Sequence, residues 1–293
     1  SSHRMRSRST IDTVHPGRRR RLRRLVQLAL GASLARLATP GMRTVAAGPA
    51  VAGAAAARAQ ALSADEPEAG PALLRPGTTR LVYEVFLDDY RSGSRVATMN
   101  QEFDRLPDGD YRFRSEAQAT GLLSLIWRGS MVQVSRGSIC ADGLRPFEFI
   151  DRRGNRKPRG AKIDRASGQA VFFDGQRVEA PEKTQDRLSV LAQLGLLLAA
   201  GDGASLGAGY TFEFPMLATS RITRSQWRIE EPEELRFEAG TVVAIPIRRL
   251  VPPGDDSPSI VVWFDPERLP WPVRVRVAEA DGQALDQVLQ RID

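Results

Sequence analysis

The sequence predicts an all-β fold, a mainly antiparallel curved sheet or open barrel, with one main helix packed on its concave face. Short runs rich in β-branched and aromatic residues recur from residue 79 onward. Turn dipeptides such as Asp142-Gly143 and Asp281-Gly282 separate these runs, which favours successive hairpins. One leucine-rich segment, 186–198, is long enough to form a helix.

The alternation of side chains assigns the faces of individual strands. Between residues 111 and 119, aromatic and small residues occupy every second position and polar or charged residues lie between them. Residues 271–277 alternate in a similar way. A period of two is typical of a strand with one buried face. By contrast, segments 79–87 and 259–264 are apolar on both faces, so we expect other parts of the chain to cover the second side of the sheet there.

The segment expected to provide this cover is the leucine-rich one. Asp186 suits the N-cap position, and Gly201 follows the predicted end of the helix. The leucines surround most of the helix instead of forming one stripe, which is typical of a helix that is buried on several sides. The segment is much too short to cross a bilayer. We therefore expect it to lie against the concave face of the sheet.

The first 61 residues predict an export leader. They contain twelve arginines and one acidic residue. A basic cluster at 18–24 precedes the apolar stretch 25–35, and an alanine-rich tract ends at an A-x-A site that predicts cleavage between Ala61 and Leu62. A disordered basic tail is the alternative interpretation. The leader interpretation predicts a periplasmic or secreted bacterial protein with no transmembrane span in the mature chain.

The remainder of the chain divides into a linker and one domain. Residues 62–78 are rich in proline, glycine and small residues, which is typical of a linker, and residues 79–293 form a single β-rich domain. The net charge of +7 belongs to the leader, since the acidic residues outnumber the basic ones by four in the rest of the chain. A mildly acidic domain has no general attraction to phosphate backbones, so no nucleic-acid partner is expected.

The residue types of the predicted domain exclude several chemistries. The only histidines, His3 and His15, lie in the leader, and the only cysteine is Cys140. The domain therefore lacks the commonest proton shuttle and metal ligand, and it cannot form an internal disulfide. We predict no metal, no cofactor and no enzymatic activity. A hydrolase that uses carboxylates alone stays open, with Glu84 and Glu116 as candidates. A solvent-facing strand charge or a structural ion pair is the alternative for both.

A groove between the curved sheet and the helix is the predicted ligand site, because concave apolar cavities are typical of small-molecule sites. The candidate groove residues are Tyr83, Phe113, Trp127, Leu191, Leu194 and Leu198.

A basic run is the second candidate site. It contains Arg152, Arg153, Arg156 and Lys157, and it predicts contact with an anionic surface such as lipid headgroups. A solvated hairpin loop is the alternative.

Several short segments resemble a known family. They are 111–117 with 120–122, 142–146, 184–189, and 263–266 with 269–273. Their order and spacing resemble the bacterial family catalogued as domain of unknown function 3108, over roughly residues 79–292. Arg187 departs from the pattern, because a proline is expected there in the first helical turn. The resemblance implies an exported or envelope-associated bacterial domain without an assigned reaction.

Three functions follow from these observations. The first is non-enzymatic binding of an apolar or amphipathic envelope component in the groove. The second is a structural or adaptor domain that binds a partner protein or an anionic surface. The third is the carboxylate-only hydrolase.

Overall fold

The structure is a computed structural model that describes residues 69–121, 124, 129–201 and 206–293. Most of these residues lie in one sheet of sixteen strands, accompanied by one main helix. The predicted fold class is confirmed. The predicted leader, including Ala61 and Leu62, lies outside the described residues. Neither helix in the described part of the chain has the length and apolar content needed to span a membrane.

The elements follow one another as a long meander. The helices are α1 (Ala69–Ala72) and α2 (Ser189–Ala200), and a 3-10 turn spans Pro266–Arg268. The strands are β1 (Gly77–Leu87), β2 (Ser94–Arg105), β3 (Asp110–Ala119), β4 (Ser130–Cys140), β5 (Gly143–Arg153), β6 (Arg159–Asp164), β7 (Gln169–Phe172), β8 (Arg177–Glu179), β9 (Gln185–Asp186), β10 (Thr211–Leu217), β11 (Ile222–Ile229), β12 (Glu233–Phe237), β13 (Gly240–Leu250), β14 (Ser259–Phe264), β15 (Pro272–Ala278) and β16 (Ala284–Ile292).

The sheet is open. Its order is β8-β7-β6-β5-β4-β3-β2-β1-β16-β15-β14-β13-β11-β10-β9, and β12 pairs with β13 beside this path. The described pairings are antiparallel except for β9 with β10. Chain neighbours pair as hairpins through most of this order, as the recurring turn dipeptides predict. The pairing of β1 with β16 joins the two ends of the domain in the middle of the sheet.

Helix α2 lies inside the curve of the sheet. It contacts both β5 and β15, which are six strands apart in the sheet order. A flat sheet would separate these strands by about 29 Å at the usual interstrand spacing, so the sheet must bend around the helix. The helix packs closely against the segment that precedes β15, because a Cβ at Gly195 would overlap the carbonyl oxygen of Pro270. The predicted position on the concave face is thereby confirmed.

The helix begins later than the sequence indicates. Asp186 lies in β9, and the helix begins at Ser189. The Asp186 carboxylate nevertheless accepts hydrogen bonds from the backbone amides of Leu188 and Ser189, at 2.8 and 2.9 Å. A carboxylate at a helix start satisfies amides that have no partner within the helix. Asp186 therefore acts as a cap from an extended segment.

Two apolar clusters form the core on either side of α2. The first contains Ala192 and Leu196 together with apolar residues of β1 to β7. The second contains Val190 and Leu194 together with apolar residues of β10, β11 and β13 to β15. Because the helix contributes to both clusters, it is buried around most of its circumference, as its leucine pattern predicts.

Strand β12 covers part of the sheet that the sequence marked as apolar on both faces. The Trp263 indole of β14 donates a hydrogen bond to Glu233 of β12. Leu235 of β12 is buried in the same cluster as Val261 and Trp263. The second cover is therefore a strand, whereas the sequence indicated only the helix.

The start of the described chain is also ordered against the sheet. Within the predicted linker 62–78, residues 69–72 form α1, and Leu74 is fully buried. The carbonyl oxygen of Leu74 accepts a hydrogen bond from Arg105 at 2.6 Å. Strand β1 begins at Gly77.

Candidate functional site

The predicted groove residues lie on both sides of the helix. Tyr83 and Phe113 are buried in the first apolar cluster, and Leu194 is buried in the second. Leu191 and Leu198 pack against the second cluster, while Trp127 lies outside the described residues. The structure thus brings the three leucines together, and it places the two aromatic residues in the other cluster. Their contact with a ligand stays a prediction.

Tyr83 and Phe113 have packing roles that the structure shows directly. The Tyr83 hydroxyl donates a hydrogen bond to the carbonyl oxygen of Pro272 at 2.9 Å. The Phe113 ring meets the rings of Phe103 and Trp271 edge-on, with centroids 5.6 and 5.8 Å apart. Such contacts stabilise a core beyond the area that they bury. These residues link β1, β2 and β3 to the start of β15.

A groove of about 420 Å³ opens between α2, β10 and the start of β5. We call it the α2–β10 groove. Its apolar wall consists of Leu144, Leu197, Leu206, Tyr210, Phe212 and Phe214. The aromatic rings of this wall form a row along β10, with centroids of Tyr210 and Phe212 5.1 Å apart and those of Phe212 and Phe214 6.4 Å apart. The wall thus offers a continuous apolar surface beside the helix.

Two buried glutamines form the polar part of the groove. Gln193 is satisfied on both sides, since its Oε1 accepts from the Leu144 amide at 2.7 Å and its Nε2 donates to the Asp142 carbonyl at 2.8 Å. Gln185 donates from Nε2 to the Leu144 carbonyl at 2.7 Å. Its Oε1 is buried and has no hydrogen-bond partner among the described residues. A residue that lines the groove therefore carries an acceptor that a hydroxyl or amide group could satisfy.

The rim of the groove carries both signs of charge. Arg145 pairs with Asp142 at 3.2 Å, and Arg224 pairs with Glu213 at 3.6 Å. Lys183 also lines the groove. Because both acidic and basic side chains line the groove, it favours a polar head of a ligand without requiring a particular charge.

Asp186 is the carboxylate with the most unusual environment. It is fully buried, and burial raises its pKa to about 6. The Ser135 hydroxyl donates to it, and the Tyr111 hydroxyl lies 2.9 Å from the Ser135 hydroxyl. Strongly shifted pKa values often mark catalytic groups, but structural networks produce them as well. The carboxylate connects β3, β4 and the start of α2, which is a structural role.

The two glutamates considered for hydrolysis lie in ion pairs. Glu84 pairs with Arg95, and Glu116 pairs with Arg114. The hydrogen bond from Arg114 lowers the pKa of Glu116. A general acid needs the opposite shift, so this environment favours the structural alternative.

The basic run lies at the hairpin between β5 and β6. Arg152, Arg156 and Lys157 are exposed. Arg153 instead makes two hydrogen bonds to the buried Asp151, from Nε at 3.1 Å and from Nη2 at 2.8 Å. Arg153 is therefore paired with a buried carboxylate, whereas the other three cations are exposed. Contact of the run with an anionic surface stays a prediction.

The sequence reasoning missed the groove residues outside the helix. Tyr210, Phe212 and Phe214 alternate with polar residues, which is a strand pattern that was available in the sequence. Gln185 carried no comparable signal, because the sequence does not show which of its two polar atoms lacks a partner.

A family model matches most of the β-rich domain. Residues 83–289 match the model of the family described as "Protein of unknown function (DUF3108)". None of the curated proteins compared with the chain matches it.

Three solved structures are similar to the chain. A β-barrel-like protein of domain of unknown function DUF1849 from Brucella abortus is 14% identical, with a TM-score of 0.48, and the match covers 75% of this chain and 98% of that chain. A protein assigned as exported, with a YmcC-like fold, from Bacteroides fragilis is 10% identical, with a TM-score of 0.33 and coverage of 75% and 96%. A protein assigned as a lipoprotein from Parabacteroides distasonis is 12% identical, with a TM-score of 0.33 and coverage of 75% and 96%.

Proposed function

This chain belongs to the DUF3108 family of proteins of unknown function, and on that premise we propose that it is a non-enzymatic protein of the bacterial envelope. In this proposal it binds an apolar or amphipathic envelope component in the α2–β10 groove. The family match confirms the resemblance seen in the sequence. The basic, alanine-rich leader supports export, because this order of segments is typical of a signal peptide.

The shape of the groove supports a small amphipathic ligand. Its volume of about 420 Å³ lies within the usual range of ligand pockets, about 300 to 1,000 Å³. One wall is apolar and aromatic, and the rim is charged. An acyl chain would lie along the wall while its polar head lies between the rim and Gln185.

The observation that carries the proposal is the unpaired Oε1 of Gln185. A buried acceptor without a partner costs about 1 to 3 kcal/mol, so it is rare unless something else satisfies it. Gln185 lines the groove beside Leu144 and Phe214. A hydroxyl group on the ligand head would donate to this oxygen. Neutral amphiphiles with hydroxyl groups, such as monoacylglycerols, fit this requirement.

Two exposed aromatic residues provide a matched test. Tyr210 lines the groove and is 45% exposed, whereas Phe173 lies outside the groove lining and is 44% exposed. We expect Tyr210→Ser to weaken binding of monolauroylglycerol about tenfold, which corresponds to about 1.4 kcal/mol of lost apolar contact. Phe173→Ser should leave the affinity unchanged. Isothermal titration of both variants and the parent chain measures the difference.

Native mass spectrometry of the chain purified from the periplasm complements the titration. A lipid that is retained by the parent chain and lost on organic extraction supports the proposal. Equal loss of affinity in both variants, or no binding by the parent chain, would contradict it. A stoichiometric protein partner in place of a lipid would favour the adaptor function instead.

A further inference from the structure

A row of buried polar side chains, none of which lines the α2–β10 groove, crosses four neighbouring strands. Gln101 of β2 pairs with Ser115 of β3, Ser115 pairs with Gln133 of β4, and Gln133 pairs with Asp151 of β5. Directly paired residues point to the same face of a sheet. All four residues are buried, and the neighbouring positions on the strands are largely apolar and aromatic. A polar row inside an apolar surface needs hydrogen-bond partners.

Arg187 adds a positive charge to this row. Its side chain is 5% exposed, and its Nη1 lies 3.6 Å from Oδ2 of Asp151, which is beyond hydrogen-bond distance. Asp151 already accepts two hydrogen bonds from Arg153. Two guanidinium groups therefore share one carboxylate, and Arg153 holds the better geometry.

Several donors of this cluster lack an acceptor. Within the described part of the chain, Nε, Nη1 and Nη2 of Arg187 are all buried without a hydrogen-bond partner. The Nε2 atom of Gln133 is also buried and unpaired. The Nε2 atom of Gln101 reaches only the sulfur of Met99, at 3.3 Å, and a thioether is a weak acceptor.

The guanidinium of Arg187 keeps its charge in this environment. Burial lowers its pKa to about 10, which is still well above neutral pH. The negative charges of Asp151 and Asp186 raise this pKa, and the positive charges of Arg153 and Arg159 lower it further. When Arg187 itself is counted, three arginines face two carboxylates.

We propose that Arg187 and Gln133 bind an oxyanion, a phosphate or carboxylate group, in the concave interior of the sheet. The planar guanidinium presents parallel N–H groups that match the oxygen atoms of such an anion. The Gln133 amide supplies a further neutral donor. An anion at this position would satisfy the orphaned donors and balance the excess positive charge. Neither residue lines the groove of the proposed function.

Titration with two phosphate probes tests the proposal and separates the possible sources of the anion. We expect the full chain to bind inorganic phosphate, dihexanoyl phosphatidic acid or both. Binding of inorganic phosphate indicates a site for a free anion, and binding of the phosphatidic acid alone indicates a lipid headgroup. Either result supports the site if replacement of Arg187 weakens the binding.

Three variants establish that dependence. Arg187→Met should lower the affinity at least about tenfold, because a charge-assisted hydrogen bond is lost. Gln133→Leu keeps the side-chain volume and should lower the affinity about threefold. Arg249→Met is the matched control, since Arg249 is also buried, at 4% exposure, and its Nη1 contacts the Pro258 carbonyl. Every variant retains the leader arginines, so binding to the leader is common to all.

Absence of saturable binding to both probes, or unchanged affinity in Arg187→Met, would overturn the proposal. If Arg187→Met fails to fold, Gln133→Leu decides, and an unchanged affinity in that variant rejects the site. Arg187→Met should still bind monolauroylglycerol, a neutral probe, as tightly as the parent chain. The anion site and the α2–β10 groove can therefore fail independently.

Discussion

Two buried arginines of this protein differ in how far their hydrogen-bond donors are satisfied. Arg274 of β15 donates from Nε and Nη2 to both carboxylate oxygens of Asp286, at 2.8 and 2.7 Å. Its guanidinium carbon also lies 4.6 Å from the centroid of Tyr90 and 4.3 Å from that of Trp263. Arg187 instead lies near a carboxylate that Arg153 already occupies.

This difference distinguishes Arg274, which belongs to a structural ion pair, from Arg187, for which we propose a role in binding. Arg274 and Asp286 satisfy each other, so the pair fixes β15 against β16 and leaves little capacity for a ligand. The donors of Arg187 remain unused while the side chain bears the cost of burial. A buried arginine whose donors lack hydrogen-bond partners is weak support for stability, which favours a role in binding.

The largest expected effect is at the satisfied arginine. Arg274→Met leaves Asp286 fully buried, with Arg276 as its remaining cation at 3.3 Å and the Tyr90 amide as a further donor at 3.2 Å. Removal of one partner of a buried pair costs about 3 kcal/mol or more, so the free energy of unfolding should fall by that amount. Urea denaturation measures it. The double variant Arg274→Met/Asp286→Leu should recover most of the loss. A loss below about 1 kcal/mol in the single variant would remove the contrast between the two arginines.

A smaller, pH-dependent effect is expected at Asp186. Burial raises its pKa from 3.8 to about 6, so the folded chain binds the proton more tightly than the unfolded chain between these values. The contribution of this group to the free energy of unfolding therefore falls as the pH rises from about 4 to above 6, by about 2 to 3 kcal/mol. Other carboxylates also titrate in this range, so Asp186→Asn is needed as a reference. The parent chain should gain stability relative to this variant as the pH falls. Parallel pH profiles would contradict the prediction.

Much of the fold could be predicted from the sequence because its signals are local. The alternation at 111–119 and 271–277 corresponds to β3 and β15, and turn glycines mark the hairpins. The leucine-rich segment is the main helix. The start of α2 was misplaced because the Asp186 side chain caps the helix while its backbone belongs to a strand. The pairing of β9 with β10, which is distant in sequence, makes that backbone part of the sheet.

Less of the candidate site could be predicted, since it depends on atoms that lack partners. The departure of Arg187 from the expected proline was visible in the sequence, but its burial against Asp151 was not. Whether a glutamine or arginine is satisfied depends on residues from distant strands. The unpaired atoms of Gln185 and Gln133 illustrate this limit. Sequence patterns identify buried faces, and hydrogen-bond capacity needs the assembled fold.

At Arg187, whose donors lack partners, the expected change in the free energy of unfolding is small. Any change should be a gain, in contrast to the loss expected for Arg274→Met. Arg187→Met removes buried donors without partners, and Asp151 keeps its two hydrogen bonds from Arg153. We expect the free energy of unfolding without ligand to stay the same or to rise by about 1 kcal/mol. Urea denaturation in phosphate-free buffer measures this change. A loss comparable to that of Arg274→Met would show that the two arginines do not differ as the structure indicates.

The smallest effect is expected at an ion pair that water reaches. The side chains of Arg114 and Glu116 are 32% and 22% exposed, so solvent screens their attraction. Glu116→Gln should therefore lower the free energy of unfolding by about 0.5 kcal/mol at neutral pH. The arginine lowers the pKa of Glu116, so this contribution is lost as the pH falls through the lowered value. High salt should also abolish the difference between Glu116→Gln and the parent chain, because the screening length falls to about 3 Å at 1 M. A loss that does not depend on salt would mean that the Arg114–Glu116 pair behaves like a buried ion pair. It would weaken the distinction between charges that are satisfied within the structure and the unsatisfied cluster around Arg187.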